Sequence, residues 1–473
     1  MNGWRGALAS FVPPAFLRRW SRLIFPPPHL PFGCRADDVR AANLSAVQEV
    51  LRAANVGFEV EPHGGRTRLV VSGSIATRDL RQLMHAAGLK VTSGPKGKPV
   101  GCDFRIGSQM TGIDQIDRAL AVPLTVSSDA AVSQLPDLLE PIFDIDMVYT
   151  WVDGTDPEWQ RQRRAAAGAE ANPLLQTSND NGRFVPHNEL KYSLRSVDYF
   201  APWIRNIYIV TSGQIPAWLD QVTGRIHVVA HEEIFEDPSS LPTFNSHAIE
   251  AQLHRIPGLA EHFIYMNDDV FLGQTVSPAD FFTPDGHSRF FLSEQVIRAA
   301  GDGVLPVDVA AANNREVVEA RFGRTVTRKF KHAPHAQLRS TLELIARENS
   351  EDLAATAASR FRSATDLSIP SSLAHYYGVG LGTAVPSNIG YAYTDISQRD
   401  AQLRLLRMLK RGAPQTFCLN EVEMGSPRRA SETAAMLADF LPRAFPLASA
   451  HEIGVPVTRT ASIQSIGIEG PNE

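Results

Sequence analysis

Cysteine is scarce in this sequence: Cys34, Cys102 and Cys418 are the only three among 473 residues. They are far apart, with neither zinc-site spacing nor the density of a disulfide framework, so a reducing, cytoplasmic compartment is expected. No apolar run is long enough to cross a bilayer. An excess of positive charge is also missing. The 46 lysines and arginines face 51 aspartates and glutamates, a net charge of −5, which excludes the basic footprint of a nucleic-acid-binding protein. No internal repeat is visible. What remains is a globular composition, 43% hydrophobic and 21% charged, over a length that suggests two or three domains.

The N-terminal stretch MNGWRGALASFVPPAFLRRWSRLIFPPPHL is basic and aromatic. Prolines interrupt it and charges sit inside its apolar part, which argues against a cleavable signal peptide. AFLRRWSRLIF reads either as a disordered or internally docked tail, or as a short amphipathic segment resting on an anionic membrane surface at the inner face of the membrane. Residues 1–35 are taken as this tail. Residues 36–141 then form a small α+β unit: two helical patterns, DDVRAANLSAVQEVLRAANV and TRDLRQLMHAAG, flank the short strands FEVEP and TRLVVSG. This unit lacks a cluster of catalytic residue types and reads as an accessory domain. The stretch 96–140 is weakly patterned.

From residue 142 to 447 strands alternate with helices: IDMVYTWV, NELKYSLRSVDYF, NIYIVTSG, RIHVVAH, SHAIEAQLHRI, FIYMNDDVFLG and SRFFLSEQ. This order implies an α/β fold with a largely parallel sheet covered on both faces, and ligands gathering outside the carboxyl ends of its strands. From Arg315 the pattern is mostly helical, and residues 448–473 read as a tail.

Six constellations carry candidate chemistry. In DIDMVYTWVDGTDPEW, the strand end Tyr149, Thr150 and Trp151 offers a stacking face and hydrogen bonds to a base or sugar, or is an aromatic strand entering the Asp153–Gly154 turn. Lys191 and Arg195 share a helix face, with Arg183 upstream. They suit a diphosphate, or are a solvated basic face. Glu250 and His254, also four apart, are an ordinary pair or frame a sugar hydroxyl. Asp268 and Asp269 end a buried-looking strand. Alternation forbids both from facing one side while the strand stays extended, so the strand ends there or one acid is structural. A hard cation such as Mg²⁺ or Mn²⁺ would relieve their repulsion. In RKFKHAPHAQLRS, His332 and His335 suit acid–base work or are loop imidazoles. A zinc site is excluded, because no cysteine is near. Arg360 and Arg362 in SRFRSATD could reach a phosphate.

These blocks, in this order, resemble the Stealth proteins, sugar-phosphate transferases of capsular and exopolysaccharide synthesis related to the catalytic core of N-acetylglucosamine-1-phosphotransferase. The matching text is DIDMVYTWVDGTDPEW, then HNELKYSLRSVDYFAPWIRNIYIVTSGQIPAWLD through FIYMNDDVFLG, then RKFKHAPHAQLRSTLELI with FRSATDLSIPSSLAHYYG, and last FCLNE. The resemblance covers about 143–421 and leaves the N-terminal unit aside. It implies a glycosyltransferase-A-like core and a nucleotide-diphospho-sugar donor, commonly UDP-linked. The sugar-1-phosphate moves whole to a hydroxyl of a growing glycan, and nucleoside monophosphate leaves. By the same resemblance Asp269, His332 and Arg362 are catalytic. Asp268, Asp269 and Asn420 hold Mg²⁺ or Mn²⁺. Tyr149, Thr150, Trp151, Val152, Asp153 and Gly154 line the nucleotide turn, Glu250 holds the donor sugar, and Lys191 and Arg195 clamp phosphate. Some members carry Asn in place of Asp153, and Asp is common where this chain has Glu421. Two other readings compete: a metal-dependent glycosyltransferase that moves the sugar alone, and a carbohydrate-binding protein without catalysis. The oligomeric state is left open.

Overall fold

A computed structural model of the chain describes residues 14–24, 26, 30, 34–63, 66–72, 76–93, 104–127, 138–169, 186–221, 224–297, 306–421 and 427–454. Cys102 and Arg183 lie outside them. The N-terminal unit holds strands β1 (Phe58–His63), β2 (Arg66–Ser72), β3 (Lys90–Ser93), β4 (Phe104–Gly107) and β5 (Val122–Ser127) in the order β1-β2-β5-β4-β3. The pair β2 and β5 is parallel, and the other pairs are antiparallel. Helices Ala36–Ala53 and Thr77–Ala86 carry apolar side chains four apart, Val47 with Leu51 and Leu80 with Met84, which share one core with Leu69, Val71, Ile106 and Leu124. The weakly patterned stretch supplies β4, β5 and the Asp114–Leu120 helix, elements too short for periodicity to reveal. That helix sends Ile116, Ala119 and Leu120 into the core of the larger unit. Gln115 fixes the contact by donating to the Ala413 carbonyl (2.9 Å) and accepting from its N–H (3.2 Å).

The larger unit contributes β6 (Ile145–Thr150), β7 (Ile207–Thr211), β8 (Ile226–Ala230), β9 (His262–Asn267), β10 (Val270–Leu272), β11 (Ser288–Phe290), β12 (Leu292–Val296), β13 (Arg328–Phe330), β14 (His335–Leu338), β15 (Ala384–Pro386), β16 (Tyr391–Asp395) and β17 (Thr416–Asn420). Its main sheet runs β14-β9-β6-β7-β8. The neighbours β9, β6, β7 and β8 are parallel, and β14 is antiparallel to β9. Alternation splits each strand between two cores. Met147, Tyr149, Ile264 and Met266 face one, while Val148, Val210, Phe263 and Tyr265 face the other. Each large side chain so buried contributes about 1.5–3 kcal/mol. Because both faces are covered, these strands read as continuous apolar runs.

Several expectations need correction. FIYMNDDVFLG is two strands, not one. β9 stops at Asn267, and β10 joins a second sheet, β10-β17-β16, which resolves the conflict between two adjacent acids and strand alternation. SRFFLSEQ likewise divides at Phe291 into β11 and β12, which belong to different sheets. SHAIEAQLHRI is a five-residue helix, Ser246–Glu250, followed by a 3-10 turn, Leu253–Arg255. Glu250 and His254 therefore do not share one helix face. The region after Arg315 is mostly helical, as its pattern implied, but it also holds β13 to β17, and β14 completes the main sheet. Residues at both expected tails are docked: Ala448 brackets Arg35 by backbone bonds to Cys34 and Ala36, and Leu219 bridges Glu452. Among the described residues no helix is long and apolar enough to cross a membrane.

Candidate active site

The parallel register brings the carboxyl ends of the central strands to one edge, where Thr150 sits opposite Asn267. The antiparallel β14 starts at that same edge, His335 opposite Tyr265, so the loop just before it delivers His332. The turn after β9 presents Asp268 and Asp269. β10 then pairs with β17, Val270 opposite Cys418, and Leu419 N–H donates to the Asp269 carbonyl at 2.9 Å. Cys418 and Asn420, two apart on β17, point the same way. Both reach Oδ2 of Asp269, at 3.4 Å from Sγ and 2.9 Å from Nδ2.

The other oxygen of Asp269 lies 3.4 Å from Nε2 of His332. Burial alone would raise the Asp269 carboxyl. The His332 charge and the hydrogen bonds from His332, Asn420 and Cys418 outweigh that and hold it below the usual range. His332 moves the opposite way: burial disfavours its cation, but Asp269 and then Glu250 raise it above the ordinary imidazole value against the opposing charge of Arg362. Asp268 is pushed well above the carboxylate range by burial and by the charges of Glu189 and Asp269.

Glu250 is buried, and its Oε1 accepts from Tyr265 Oη at 3.0 Å. Tyr265 in turn meets Thr150 Oγ1 at 3.1 Å. Among the described residues Oε2 of Glu250 has no hydrogen-bond partner. Burial raises this carboxyl, while His247, Arg362, Tyr265 and His332 pull it down. Arg362 donates to Ser246 Oγ at 2.9 Å. The loop carrying it is pinned by Asp366, whose Oδ2 accepts from Asn245 (2.8 Å) and from Ser363 N–H (3.0 Å) and lies 3.2 Å from His247 Nδ1. His332 therefore lies within electrostatic reach of Asp269, Glu250 and Arg362, and Glu250 within reach of Arg362.

Other expected residues sit elsewhere. Lys191 and Arg195 are two and six residues along the Glu189–Phe200 helix from Glu189, roughly 160° and 120° round its axis from it. They turn to Glu452, not to the acids. Arg195 makes a bidentate pair with it at 2.6 and 2.7 Å and donates to the Phe445 carbonyl at 2.8 Å, and Lys191 adds a contact at 3.1 Å. Tyr149 and Trp151 are core residues, and Tyr149 Oη is 2.9 Å from Ser193 Oγ, so neither presents a free stacking face. Val152 packs against the cluster of Trp159, Phe244 and Phe361. Asp153 accepts from Thr155 and exchanges bonds with Gln214, while the Gly154 carbonyl accepts from Gln160. Both shape the turn.

Glu189 is the acid that the sequence reading passed over. It opens its helix, and Ser193 and Ser196 on the same face bond to the Val270 carbonyl (2.6 Å) and the Leu272 N–H (3.0 Å). That contact holds Glu189 beside the acid turn. Burial, with Asp269 and Glu421 nearby, pushes it up to about 7. The signal was the acidic residue opening the helix ELKYSLRSVDYF, just before β7. Cys418 was also missed. No cysteine neighbours the histidines in sequence, yet the fold brings its Sγ into a group with Asp269 and His332 whose ligand atoms all lie within 4.8 Å.

Three family models match the chain: Stealth protein conserved region 1 over 143–171, conserved region 2 over 183–290 and conserved region 3 over 331–378. Exopolysaccharide phosphotransferase SCO6023 of Streptomyces coelicolor is 47% identical over 312 residues, 66% of this chain and 52% of that protein. SCO2592 of the same organism, also named an exopolysaccharide phosphotransferase, is 38% identical over 88% of this chain and 47% of its own length. Exopolysaccharide phosphotransferase CpsY of Mycobacterium tuberculosis is 40% identical over 68% and 61%. The chain thus spans about half the length of the curated relatives it matches. Among solved structures, galactosyltransferase LgtC in complex with donor and acceptor sugar analogs aligns with 62% of this chain and 96% of its own at 10% identity and a TM-score of 0.30, a loose likeness that adds nothing to the topology above. Three conserved regions in their proper order, carrying the Asp269, Glu250, His332 and Arg362 positions, identify the chain as a member of the Stealth family.

Proposed function

We propose that this protein transfers a sugar-1-phosphate from a nucleotide-diphospho-sugar, UDP-linked, to a hydroxyl of a growing exopolysaccharide or capsular glycan. A phosphodiester forms and nucleoside monophosphate leaves. The observation that carries this reading is the convergence of the Asp269–His332 pair with Glu250 and Arg362 at the carboxyl edge of the sheet.

His332 is the group suited to accept the proton of the acceptor hydroxyl as that oxygen attacks the sugar-bearing phosphorus and the bond to the bridging oxygen breaks. Asp269 orients the imidazole and stabilises its cation. Arg362 faces the charge on the phosphoryl oxygens, which its planar fork can bind. Glu250 offers the unpartnered Oε2 to a sugar hydroxyl, and its Tyr265 bond fixes that geometry. Asp268 and Asp269, with Asn420, suit Mg²⁺ or Mn²⁺. The fit lies in the donor set: Asp269 raises the proton affinity of Glu189, and Glu189 and Asp269 raise that of Asp268, a repulsion that a hard dication would relieve. Such an ion would neutralise charge on the pyrophosphate.

Mass spectrometry of the nucleotide by-product across a donor panel tests the proposal. Nucleoside monophosphate with phosphorus retained in the glycan is expected. Nucleoside diphosphate would establish transfer of the sugar alone, and no turnover with either ion would favour a binding protein.

A further inference from the structure

We propose that the outer face of the Pro14–Ile24 helix, together with the basic helix beside it, docks on the anionic headgroup layer of a lipid membrane. The inference is independent of the catalytic reading. The helix sequence PAFLRRWSRLI places Phe16, Trp20 and Leu23 at i, i+4 and i+7, one stripe along the axis. All three are exposed, at 59%, 50% and 77%. The stripe is held outward. On the inner side the buried Ser21 Oγ accepts from Arg443 at 3.0 Å, and Arg22 pairs with Asp439 at 2.6 Å. The helix packs against Ala401–Arg411 and Pro427–Ala444, so two large aromatic side chains and a leucine are presented to the surroundings on a fixed support.

Charge selects the occupant. The Pro14–Ile24 helix carries Arg18, Arg19 and Arg22 and no acid. The neighbouring Ala401–Arg411 helix carries Arg404, Arg407, Lys410 and Arg411, all exposed, and again no acid. Arg22 is paired with Asp439 and Arg404 with Asp400. Of the helix's own cations, Arg19 flanks the stripe, roughly 60° from Phe16 and 40° from Leu23 round the axis, while Arg22 turns inward to Asp439. An apolar stripe bordered by cations matches an interfacial helix, which sinks its apolar side into the acyl boundary while arginines meet phosphate headgroups. A second copy of the chain would set arginines against arginines across a two-fold axis, which disfavours self-association through this face.

The full chain is mixed with phosphatidylcholine vesicles with and without phosphatidylglycerol, and co-sedimentation is measured at low and high salt. Binding to the anionic vesicles alone is expected. A Phe16→Ser/Trp20→Ser/Leu23→Ser variant should bind about tenfold or more weakly, with an unchanged melting curve because the three side chains are exposed. Arg407→Glu/Lys410→Glu, which leaves the stripe intact, should weaken binding by a similar factor of about ten, as should raised salt. Wild-type chain that ignores anionic vesicles overturns the proposal, as does a triple variant that binds as well as wild type. Self-association abolished by the triple variant, without lipid binding, would assign the face to a second copy and also overturn it.

Discussion

Nε2 of His332 lies 3.4 Å from Oδ1 of Asp269, and each group shifts the other: the carboxylate is held low and the imidazole is raised. A base is active only without its proton, so transfer should rise with pH through a value above the ordinary 6.5. His332→Ala should lower the rate on the order of 10²–10⁴-fold with the fold kept. Asp269→Asn removes the charge that raises the imidazole, so the titration of His332 followed by NMR should move to lower pH. An unmoved titration would show that the two groups are not coupled.

The bidentate pair of Arg195 with buried Glu452 makes a different prediction. Burial would raise the Glu452 carboxyl, and the hydrogen bonds and charge of Arg195 reverse this, with Lys191 assisting. Arg195→Ala leaves a buried carboxylate short of its main partner and should cost about 3–5 kcal/mol in urea unfolding. KM for donor should stay unchanged in the folded fraction. A large rise in KM with little loss of stability would instead return Arg195 to the phosphate site.

Much of this architecture was legible because parallel strands buried on both faces must be apolar throughout, and Asp268–Asp269 interrupts such a run. The conflict between two adjacent acids and strand alternation indicated a break, and β9 does end there. What stayed hidden depended on long-range pairing. β17 is five residues long, and TFCLN itself does not show that it lies beside Asp269; only the family resemblance grouped Asn420 with that acid. The partner of Arg195 is 257 residues away, so helix spacing alone favoured a ligand role. The buried Tyr149 and Trp151 looked available because a strand end in sequence does not reveal which face the next layer covers.

Buried histidines should make the fold acid-sensitive. His231 and His375 are each 2% exposed, and burial lowers them to about 4 and about 3. Their values in the unfolded chain are near the ordinary 6.5. Below that pH the unfolded state takes up the proton first, so the stabilisation present above about 6.5 is lost as pH falls toward the folded values. Each should subtract about 1.4 kcal/mol per pH unit in that window. Urea midpoints at a series of pH values check this, and His231→Gln should show a shallower slope whatever its absolute stability. A slope unchanged by that substitution would remove His231 from the account.

Cys418 gives the site a vulnerability. A carboxylate oxygen, an imidazole nitrogen and a sulfur within 4.8 Å of one another form a donor set that Zn²⁺ accepts, whereas Mg²⁺ and Mn²⁺ favour oxygen. Burial, with Asp269 close by, keeps the thiol proton on well above its ordinary value, so the sulfur is a weak ligand until a soft cation displaces that proton. Zn²⁺ should therefore inhibit in competition with Mn²⁺ by occupying Asp269 and His332, and a chelator should restore activity. Cys418→Ser should weaken Zn²⁺ binding by at least about tenfold, the loss that removal of a supporting group alone causes. Independently of turnover, Co²⁺ added to the wild-type protein should give a thiolate-to-metal absorption band that the serine variant lacks. A band of equal strength in both proteins would mean that the sulfur does not reach the ion.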